Sequence, residues 1–335
     1  MPTNTRIAVT ANGLLALALA TSVLGLTISS SSVASPTAAS SSAATSDGGH
    51  RPRIAFSRFD RSIEGFALWT ATPDGARQRR VTPGQAYFPA WSPDRSHLLF
   101  DFPDDDGDEQ IGRINADGSG FRQLTDVPGI SEAADYSPSG KHIVFDRFVP
   151  RPNKPFHTSL WVMRANGSHA HPLFGAKSKT FDVEPDYSPA GARIVFSRIR
   201  FDPATEQESY ALFVTSAGGS QQRQITPFRA GIEHPHWSPD GRWVIYNVDS
   251  PRNPKNGIYL VHPNGRGLHR IFRSNETKLV AFKPDFAPSG KRIVFGCFVG
   301  AQQQDDLCMM DASGRNVHRI VRTPHTFENF PIWGN

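Results

Sequence analysis

A short pattern of aromatic, polar and apolar positions recurs five times along this chain. Each copy has an aromatic residue, then Ser-Pro or Ala-Pro, a few small or polar positions, and an apolar run typical of a β-strand. The copies span Tyr87–Phe100, Ala133–Phe145, Glu184–Phe196, His234–Tyr246 and Lys283–Phe295. Self-similarity at a period of about 50 residues is typical of β-propeller blades, each a four-stranded sheet that cannot bury both faces alone.

A second repeated feature predicts the number of blades. Six Gly-containing turns each follow an apolar strand, as in the hairpins that join antiparallel strands. They lie at Pro73–Gly75, Ala116–Gly118, Ala165–Gly167, Gly218–Gly219, Pro263–Gly265 and Ala312–Gly314. The chain ends account for the sixth copy, because Arg53–Arg58 matches a second strand and Asn329–Trp333 matches a first strand. We therefore predict an all-β, six-bladed propeller closed by pairing of the N-terminal and C-terminal strands in one blade.

The beginning of the chain has a different composition. Arg6, an apolar run at Leu14–Ala20 and small residues at Val33–Ala34 predict a signal peptide over residues 1–34, with cleavage as late as residue 39. The alternative is a retained membrane anchor with a structural role at the cell envelope. Residues 35–50 are rich in Ser, Ala and Thr and are expected to form a linker, followed by the propeller over 51–335. We expect an extracytoplasmic protein, secreted or associated with the cell envelope, with no stable membrane insertion after cleavage.

Charge and cysteine content restrict the partners. The net charge is +5 with both signs interspersed, and no Lys/Arg block alternates with aromatic residues, so we expect no nucleic-acid partner. Cys297 and Cys308 lie on the expected second and third strands of one repeat. In an exported protein they form either a cross-strand disulfide or two buried thiols. The chain is expected to be a monomer.

The repeated aromatic-Ser-Pro phrase resembles that of the TolB-type six-bladed propeller family, whose repeats are WD-like. The resemblance covers about Arg51 to Asn335. It implies the fold and a tendency toward binding outside the cytoplasm. TolB itself carries a smaller α/β domain before its propeller, whereas here the first blade strand follows the leader, so we do not expect the Tol-Pal role to apply.

Two positions in the first strand of each repeat vary from blade to blade: the residue immediately before the aromatic and the residue three before it. In a ring of repeats, these equivalent positions should converge around one funnel. Those in the charged arc are the candidate ligand-binding residues Asp135, Glu184, Asp186, His234, His236, Lys283 and Asp285. They face a more apolar arc of Phe88, Ala90, Phe330 and Ile332. Three interpretations remain open: a water-filled polar lining, a pocket for a peptide or sugar, and a divalent metal site built from His234, His236, Asp186 and Asp285.

A second acidic cluster lies in a predicted hairpin loop. Asp104, Asp106 and Asp108 flank Gly107, and dense carboxylates near a glycine can bind Ca²⁺. The spacing lacks the downstream glutamate of a full calcium loop, so a solvated hairpin tip is the favoured interpretation.

The sequence contains no local catalytic motif such as G-x-S-x-G, H-E-x-x-H or a phosphate loop. We therefore predict no catalytic residue and no cofactor, and a secreted binding scaffold whose funnel takes a protein, peptide or glycan. The alternative is a metal-assisted carbohydrate-active enzyme of the lyase type, because some propellers with similar repeats act on oligogalacturonate. In that hypothesis His234 and His236 bind a divalent metal, and Lys283 or a carboxylate transfers the proton.

Overall fold

The computed structural model describes residues 53–149, 158–175, 180–202, 204–205, 207–250, 253–275, 278–298 and 304–334. The predicted signal peptide and linker lie outside these residues. Every regular element in the described ranges is a β-strand. Within the same ranges, no helix has the length and apolar character needed to cross a bilayer. All strands belong to one compact unit, Pro52–Asn335.

The strands follow one another in repeats of four, with the first repeat lacking its first strand at the N-terminus. Their bounds are β1 Ile54–Asp60, β2 Gly65–Ala71, β3 Arg79–Arg80, β4 Tyr87–Trp91, β5 His97–Pro103, β6 Glu109–Asn115, β7 Arg122–Gln123, β8 Ile130–Tyr136, β9 His142–Phe148, β10 Thr158–Arg164, β11 His171–Pro172, β12 Thr180–Tyr187, β13 Arg193–Asp202, β14 Gln207–Ser216, β15 Arg223–Gln224, β16 Ile232–Trp237, β17 Val244–Val248, β18 Gly257–Val261, β19 His269–Arg273, β20 Val280–Phe286, β21 Arg292–Phe298, β22 Asp305–Asp311, β23 His318–Val321 and β24 Glu328–Trp333.

These strands form an all-β propeller, as predicted, but the count of separate sheets differs from the prediction. Four sheets have four strands each, in the orders β24-β1-β2-β3, β12-β13-β14-β15, β16-β17-β18-β19 and β20-β21-β22-β23. The strands β4–β11 form one eight-stranded sheet. A single parallel bridge between Glu109 and Ile130 joins its two halves, because the start of β6 approaches the start of β8. Four separate four-stranded blades are therefore present where six were predicted.

The pairing of the chain ends is confirmed. Strand β24 pairs antiparallel with β1, and Ile54 lies opposite Trp333. Both residues are fully or almost fully buried. The C-terminal strand thus completes the sheet that the N-terminal strand begins, and it covers an edge that would otherwise present unpaired backbone groups.

The core lies between consecutive sheets. The second strand of a repeat is buried on both faces, as Ile143, Val144 and Phe145 show in β9. One apolar cluster brings Val144 of β9 together with Tyr187 and Ile194 of the next repeat. Neighbouring sheets therefore share apolar clusters, which is how a blade unable to bury both faces alone becomes stable.

The predicted Gly turns also contribute to packing between blades. Gly75 adopts a φ of 79°, a conformation that L-residues with a side chain rarely tolerate. A Cβ atom at this position would lie 1.6 Å from the carbonyl oxygen of Ile320 in β23. The turn after β2 therefore rests directly on the outer strand of the preceding repeat.

Cys297 and Cys308 form a disulfide between β21 and β22. Their Cα atoms are 5.9 Å apart, and both residues are buried. The bond joins neighbouring strands within one sheet.

Candidate functional site

The first strand of each repeat carries a β-bulge that shapes the centre of the molecule. The ladder shifts register there, for example between Val183 and Asp186 in β12. The residue three before the repeat aromatic has a positive φ, between 45° and 55°, in all six copies. These residues, which we call the bulge layer, are Phe88, Ala133, Glu184, His234, Lys283 and Phe330. A non-glycine residue with positive φ is uncommon, so six equivalent ones mark a built-in feature of the repeat.

A second layer lies two residues further along each strand. This floor layer consists of Ala90, Asp135, Asp186, His236, Asp285 and Ile332. The bulge layer and all floor-layer residues except Asp285 line a small central cavity of about 70 Å³. All floor-layer residues except Ala90 line a wider funnel of about 400 Å³ on the side of the Ser-Pro turns. The floor layer thus lies between the two cavities. Of the seven charged residues singled out from the sequence, six line the central cavity and Asp285 lines the funnel.

Three floor-layer carboxylates hold neighbouring repeats together. In each, one oxygen accepts a hydrogen bond from the backbone N–H of the next repeat's aromatic residue. The bonds run from Tyr187 to Asp135 at 2.9 Å, from Trp237 to Asp186 at 2.7 Å and from Trp333 to Asp285 at 2.8 Å. Charge-assisted bonds of this kind are among the stronger ones in proteins. These aspartates therefore have a structural role that the sequence analysis did not assign to them.

The floor layer places one imidazole among these carboxylates. His236 Nδ1 lies 3.5 Å from Asp186 Oδ1. Burial disfavours the charged imidazolium, but Asp186, with Asp285 and Asp135 nearby, outweighs burial and raises the pKa of His236 to about 9. Burial also raises the pKa of Asp285 to about 6. At neutral pH the floor of the funnel therefore contains a protonated histidine beside Asp186.

The bulge layer contains a compact Glu-His-Lys group. Glu184 Oε1 lies 2.9 Å from His234 Nδ1, and Glu184 Oε2 accepts the His234 backbone N–H at 2.8 Å. Burial opposes ionisation of Glu184, but His234 and Lys283 outweigh it and leave its pKa below the usual value. Burial dominates at His234 and lowers its pKa despite the glutamate.

Lys283 is the basic residue of this group. Its Nζ lies 3.0 Å from the ring centroid of Phe330 and 5.8 Å from that of Phe88. Burial lowers the pKa of Lys283 to about 7, against the opposing effect of Glu233 and Glu184. An amine with such a pKa exists in both protonation states near neutral pH, so it can donate or accept a proton.

The sequence analysis missed a set of polar residues on the second strands. Asp101 accepts the backbone N–H of Ala133, and Asp146 accepts that of Glu184. Asn247 accepts the backbone N–H of Lys283 at 3.0 Å. The three occupy one repeat position, directly after the strand aromatic in Phe-Asp, Phe-Asp and Tyr-Asn. That recurrence was the signal that could have revealed them.

Glu132 and Glu233 were also missed. They directly precede the bulge-layer residues Ala133 and His234. Burial raises the pKa of each to about 8, with help from neighbouring carboxylates. Glu132 lies opposite Asp146 in the ladder, so the end of the axis away from the Ser-Pro turns holds several buried acids.

The residues proposed as metal ligands have other contacts. His234 is directed at Glu184, whereas His236 is directed at Asp186. Asp285 contributes one oxygen to the Trp333 backbone. Among the described residues, no group of three or more His, Cys, Asp or Glu side chains could hold a metal ion. The two histidines thus contact different carboxylates, and a metal site at His234, His236, Asp186 and Asp285 stays a prediction.

The acidic loop before β6 is an ordered turn. Asp104 Oδ1 accepts the backbone N–H groups of Asp106 and Asp108, and Asp104 Oδ2 accepts Gln110 Nε2 at 2.9 Å. Asp106 is exposed. Asp104 therefore organises the backbone of this turn, and Ca²⁺ binding by Asp104, Asp106 and Asp108 stays an untested alternative.

The Ser-Pro residues have structural contacts. The hydroxyl oxygens of Ser92, Ser137, Ser188 and Ser238 accept the backbone N–H five residues later. The repeat aromatics are buried between sheets, as with Trp237 at 5% exposure and Trp333 at 2%. Some of these residues, among them Ser92, Trp237 and Trp333, also line the funnel.

Comparison with known proteins supports the same class of fold. No family model matches the chain. Two relatives are detectable by sequence. The chain is 25% identical over 126 residues to "Uncharacterized peptidase YuxL" of Bacillus subtilis (strain 168), covering 37% of this chain and 18% of that protein. It is 26% identical over 187 residues to "Uncharacterized protein Atu1656" of Agrobacterium fabrum (strain C58), covering 54% and 61%. The chain thus spans less than two thirds of either relative.

Solved structures with a similar fold are TolB-like propellers and others. TolB from Acinetobacter baumannii superposes with a TM-score of 0.66 at 17% identity, covering 84% of this chain and 66% of that one. A putative TolB from Agrobacterium tumefaciens gives 0.58 at 20% identity, with 82% and 89% covered. An oligogalacturonate lyase in complex with manganese gives 0.52 at 15% identity, with 79% and 72% covered. At these identities the likeness establishes a TolB-like β-propeller fold.

Proposed function

We propose that this protein is a six-bladed propeller that acts outside the cytoplasm as a non-catalytic binding scaffold. Six repeats supply six bulge-layer residues around one axis. In the eight-stranded sheet, one bridge alone joins the two repeats. Counting repeats by their axial strands therefore favours six blades. Two of these blades touch where the start of β6 meets the start of β8.

The location outside the cytoplasm is supported by two independent features. The N-terminal sequence has the order of a signal peptide, and Cys297 and Cys308 are joined in a disulfide, which is typical of oxidising compartments. Mass spectrometry of the mature N-terminus tests this. A start after Ala34 or Ala39 supports export, and an intact N-terminus in a protein that stays in the cytoplasm would contradict it.

The observation that carries the binding function is the fixed floor beneath an open funnel. Asp135, Asp186 and Asp285 each use one oxygen to join neighbouring repeats, so their positions are set by the ring itself. Above them lies a funnel of about 400 Å³, within the range of ligand pockets. A rigid, polar floor under a cavity of this size suits recognition of a protein, peptide or glycan terminus.

Screening on peptide and glycan arrays tests this proposal, using wild type and the floor variant His236→Gln. Glutamine keeps a polar group but removes the positive charge that interacts with Asp186. Binding of an array ligand that is lost in His236→Gln but kept in the outer-surface variant Arg122→Gln supports funnel recognition. Array ligands that bind both variants and wild type equally would contradict it.

A carbohydrate-active enzyme of the lyase type is the second candidate, and the bulge layer favours it. Lys283, with a pKa of about 7, lies beside the Glu184–His234 pair, and a lyase needs a group that removes a proton next to a carboxylate. Ultraviolet detection of unsaturated uronate from oligogalacturonate, with metal analysis of the purified protein, tests this. Activity lost in Lys283→Met would favour the enzyme, whereas inactivity with and without Mn²⁺ would favour the scaffold.

A further inference from the structure

The charges of this propeller are separated radially. The outer strands are Arg79–Arg80, Arg122–Gln123, His171–Pro172, Arg223–Gln224, His269–Arg273 and His318–Val321. Each begins with Arg or His, and none contains Asp or Glu. The inner strands instead hold Glu132, Asp135, Asp182, Glu184, Asp186, Glu233, Asp285 and Glu328, with Lys283 the single Lys or Arg. The axis is therefore acidic and the rim basic.

Protection of sheet edges alone does not explain this pattern. Charged residues on an outer strand prevent pairing with another chain, but this purpose does not require a charge of the same sign in every repeat. A rim of one sign in every repeat therefore calls for a further explanation.

Part of the rim is continuous from one repeat to the next. Gly314 leaves no space for a side chain, because a Cβ atom there would lie 2.0 Å from the Ile271 carbonyl oxygen of β19. The turn that carries Arg315 therefore rests on β19, the strand that ends at Arg273. Strand β23 follows this turn directly. We call the exposed basic residues of this stretch the rim arc: His269, Arg273, Arg315, His318 and Arg322.

The arginines of the rim arc differ from Arg79 and Arg223 in their side-chain hydrogen bonds. Arg79 donates to the carbonyl oxygens of Ala116 and Asp117, and Arg223 donates to that of Asn264. In contrast, Arg273, Arg315 and Arg322 donate no side-chain hydrogen bond within the described part of the chain, and Arg322 has only an electrostatic interaction with Asp306. Their guanidinium groups are available to an external anion.

The neighbouring acids balance only part of the charge of the arc. Asp306 is almost completely buried, pairs with Arg319 at 3.1 Å and also interacts electrostatically with Arg322. Asp311 accepts the side-chain amide of Asn316 at 2.6 Å. With three arginines, the rim arc therefore keeps a net positive charge at the surface.

We propose that the rim arc binds a linear acidic polysaccharide. The arc follows the edge of two consecutive repeats, and a flexible polyanion can follow such an edge and meet several guanidinium groups in turn. A membrane is less suited, because the exposed large apolar residues of the described chain, Phe121, Phe201 and Phe327, lie outside β19 and β23. Interfacial binding normally combines basic charge with apolar insertion.

Isothermal titration with dextran sulfate and with polygalacturonate tests this, with neutral dextran as the control ligand. The arc variant is Arg273→Gln/Arg315→Gln/Arg322→Gln. The matched control, Arg122→Gln/Lys141→Gln/Arg164→Gln, removes the same charge from exposed positions elsewhere. We expect the arc variant to bind both polyanions on the order of tenfold more weakly at low salt. The control variant should bind like wild type, and added salt should weaken wild-type binding.

Three outcomes would overturn the proposal. They are no polyanion binding by wild type at low salt, equal losses in the arc and control variants, and arc-dependent binding to anionic phospholipid vesicles without binding to either polysaccharide. Because the arc lies away from the funnel, His236→Gln should leave polyanion binding unchanged. Failure of the funnel proposal and failure of this one are therefore distinguishable.

Discussion

The closure of the ring predicts a specific difference between two equivalent ion pairs. In the closing sheet, Arg58 Nε lies 3.0 Å from Glu328 Oε1 with both side chains buried, and Arg58 also donates to Gln78 at 2.6 Å. The same arrangement occurs in another repeat, where Arg198 Nε lies 2.5 Å from Asp182 Oδ1 and donates to Gln222. Both guanidinium groups also lie over aromatic rings.

The two pairs differ in how the chain connects their strands. Arg198 and Asp182 are 16 residues apart, whereas Arg58 and Glu328 are 270 residues apart. Removing one partner of a buried pair leaves an uncompensated charge and typically costs 3–5 kcal/mol. Glutamine and asparagine retain one acceptor oxygen, so we expect Glu328→Gln and Asp182→Asn each to lower the free energy of unfolding by about 3 kcal/mol.

Hydrogen exchange should separate the two variants. No short connection joins β24 to β1, because their paired residues Glu328 and Arg58 are 270 positions apart, so Glu328→Gln should accelerate exchange of β24 and β1 amides by local opening. Strand β12 is linked to β13 by a short turn, with Asp182 and Arg198 only 16 positions apart, so Asp182→Asn should affect β12 only with the rest of the fold. The double variant Arg58→Gln/Glu328→Gln should regain part of the loss, since it leaves no unpaired charge. Two results would refute this reasoning. One is equal acceleration of amide exchange in β24 by Glu328→Gln and in β12 by Asp182→Asn. The other is a loss of unfolding free energy below about 1 kcal/mol in Glu328→Gln.

Three further predictions follow from single features of the structure. Replacing Cys297 and Cys308 by alanine, which opens a separation of 11 residues, should lower the free energy of unfolding by about 3 kcal/mol in a denaturant titration, and no change would contradict this. Burial raises the pKa of Glu132 to about 8, so the folded state keeps a proton that the unfolded chain releases above its ordinary pKa. The free energy of unfolding should therefore fall as the pH rises from about 5 to about 8, and it should fall less in Glu132→Gln. Unfolding titrations at both pH values measure this difference, and an equal fall in wild type and variant would be evidence against it. Because burial lowers the pKa of Lys283 to about 7, cyanate should carbamylate it at a lower pH than it does the exposed Lys141, as peptide mass spectrometry can measure. The reverse order would contradict the lowered pKa of Lys283.

The fold could be predicted from the sequence because its main determinants are local and repeated. The proline of the aromatic-Ser-Pro phrase and the glycine of each hairpin turn restrict the backbone within a few residues. Gly75 and Gly314 both have positive φ, as the turns require. The ends could also be matched, since Ile54 and Trp333 belong to repeat patterns that each lacked a partner. The single bridge between Glu109 and Ile130 was not predictable, because it depends on how closely two repeats approach.

The candidate site was predictable in position but not in role. Equivalent positions in a ring converge by geometry, so Asp135, Asp186 and Asp285 could be placed at the axis from spacing alone. Their hydrogen bonds to the next repeat depend on the distance between sheets, which no single repeat encodes. The positive φ at Glu184 and His234 also had no sequence signal, because the residue type at that position differs in almost every copy.

The contacts between repeats narrow the set of residues that are available for recognition. Asp101, Asp146 and Asn247 accept the backbone N–H of the following bulge-layer residue. In the repeat between those of Asp146 and Asn247, the equivalent residue is Ser197. There Glu184, instead of Ser197, accepts the backbone N–H of His234. Glu184 is therefore committed to the structure, although it lines the central cavity. Of the seven charged axial residues, His234, His236 and Lys283 are those whose side chains accept no backbone N–H from a neighbouring repeat within the described ranges. For this reason ligand specificity should depend on these three residues more than on the carboxylates.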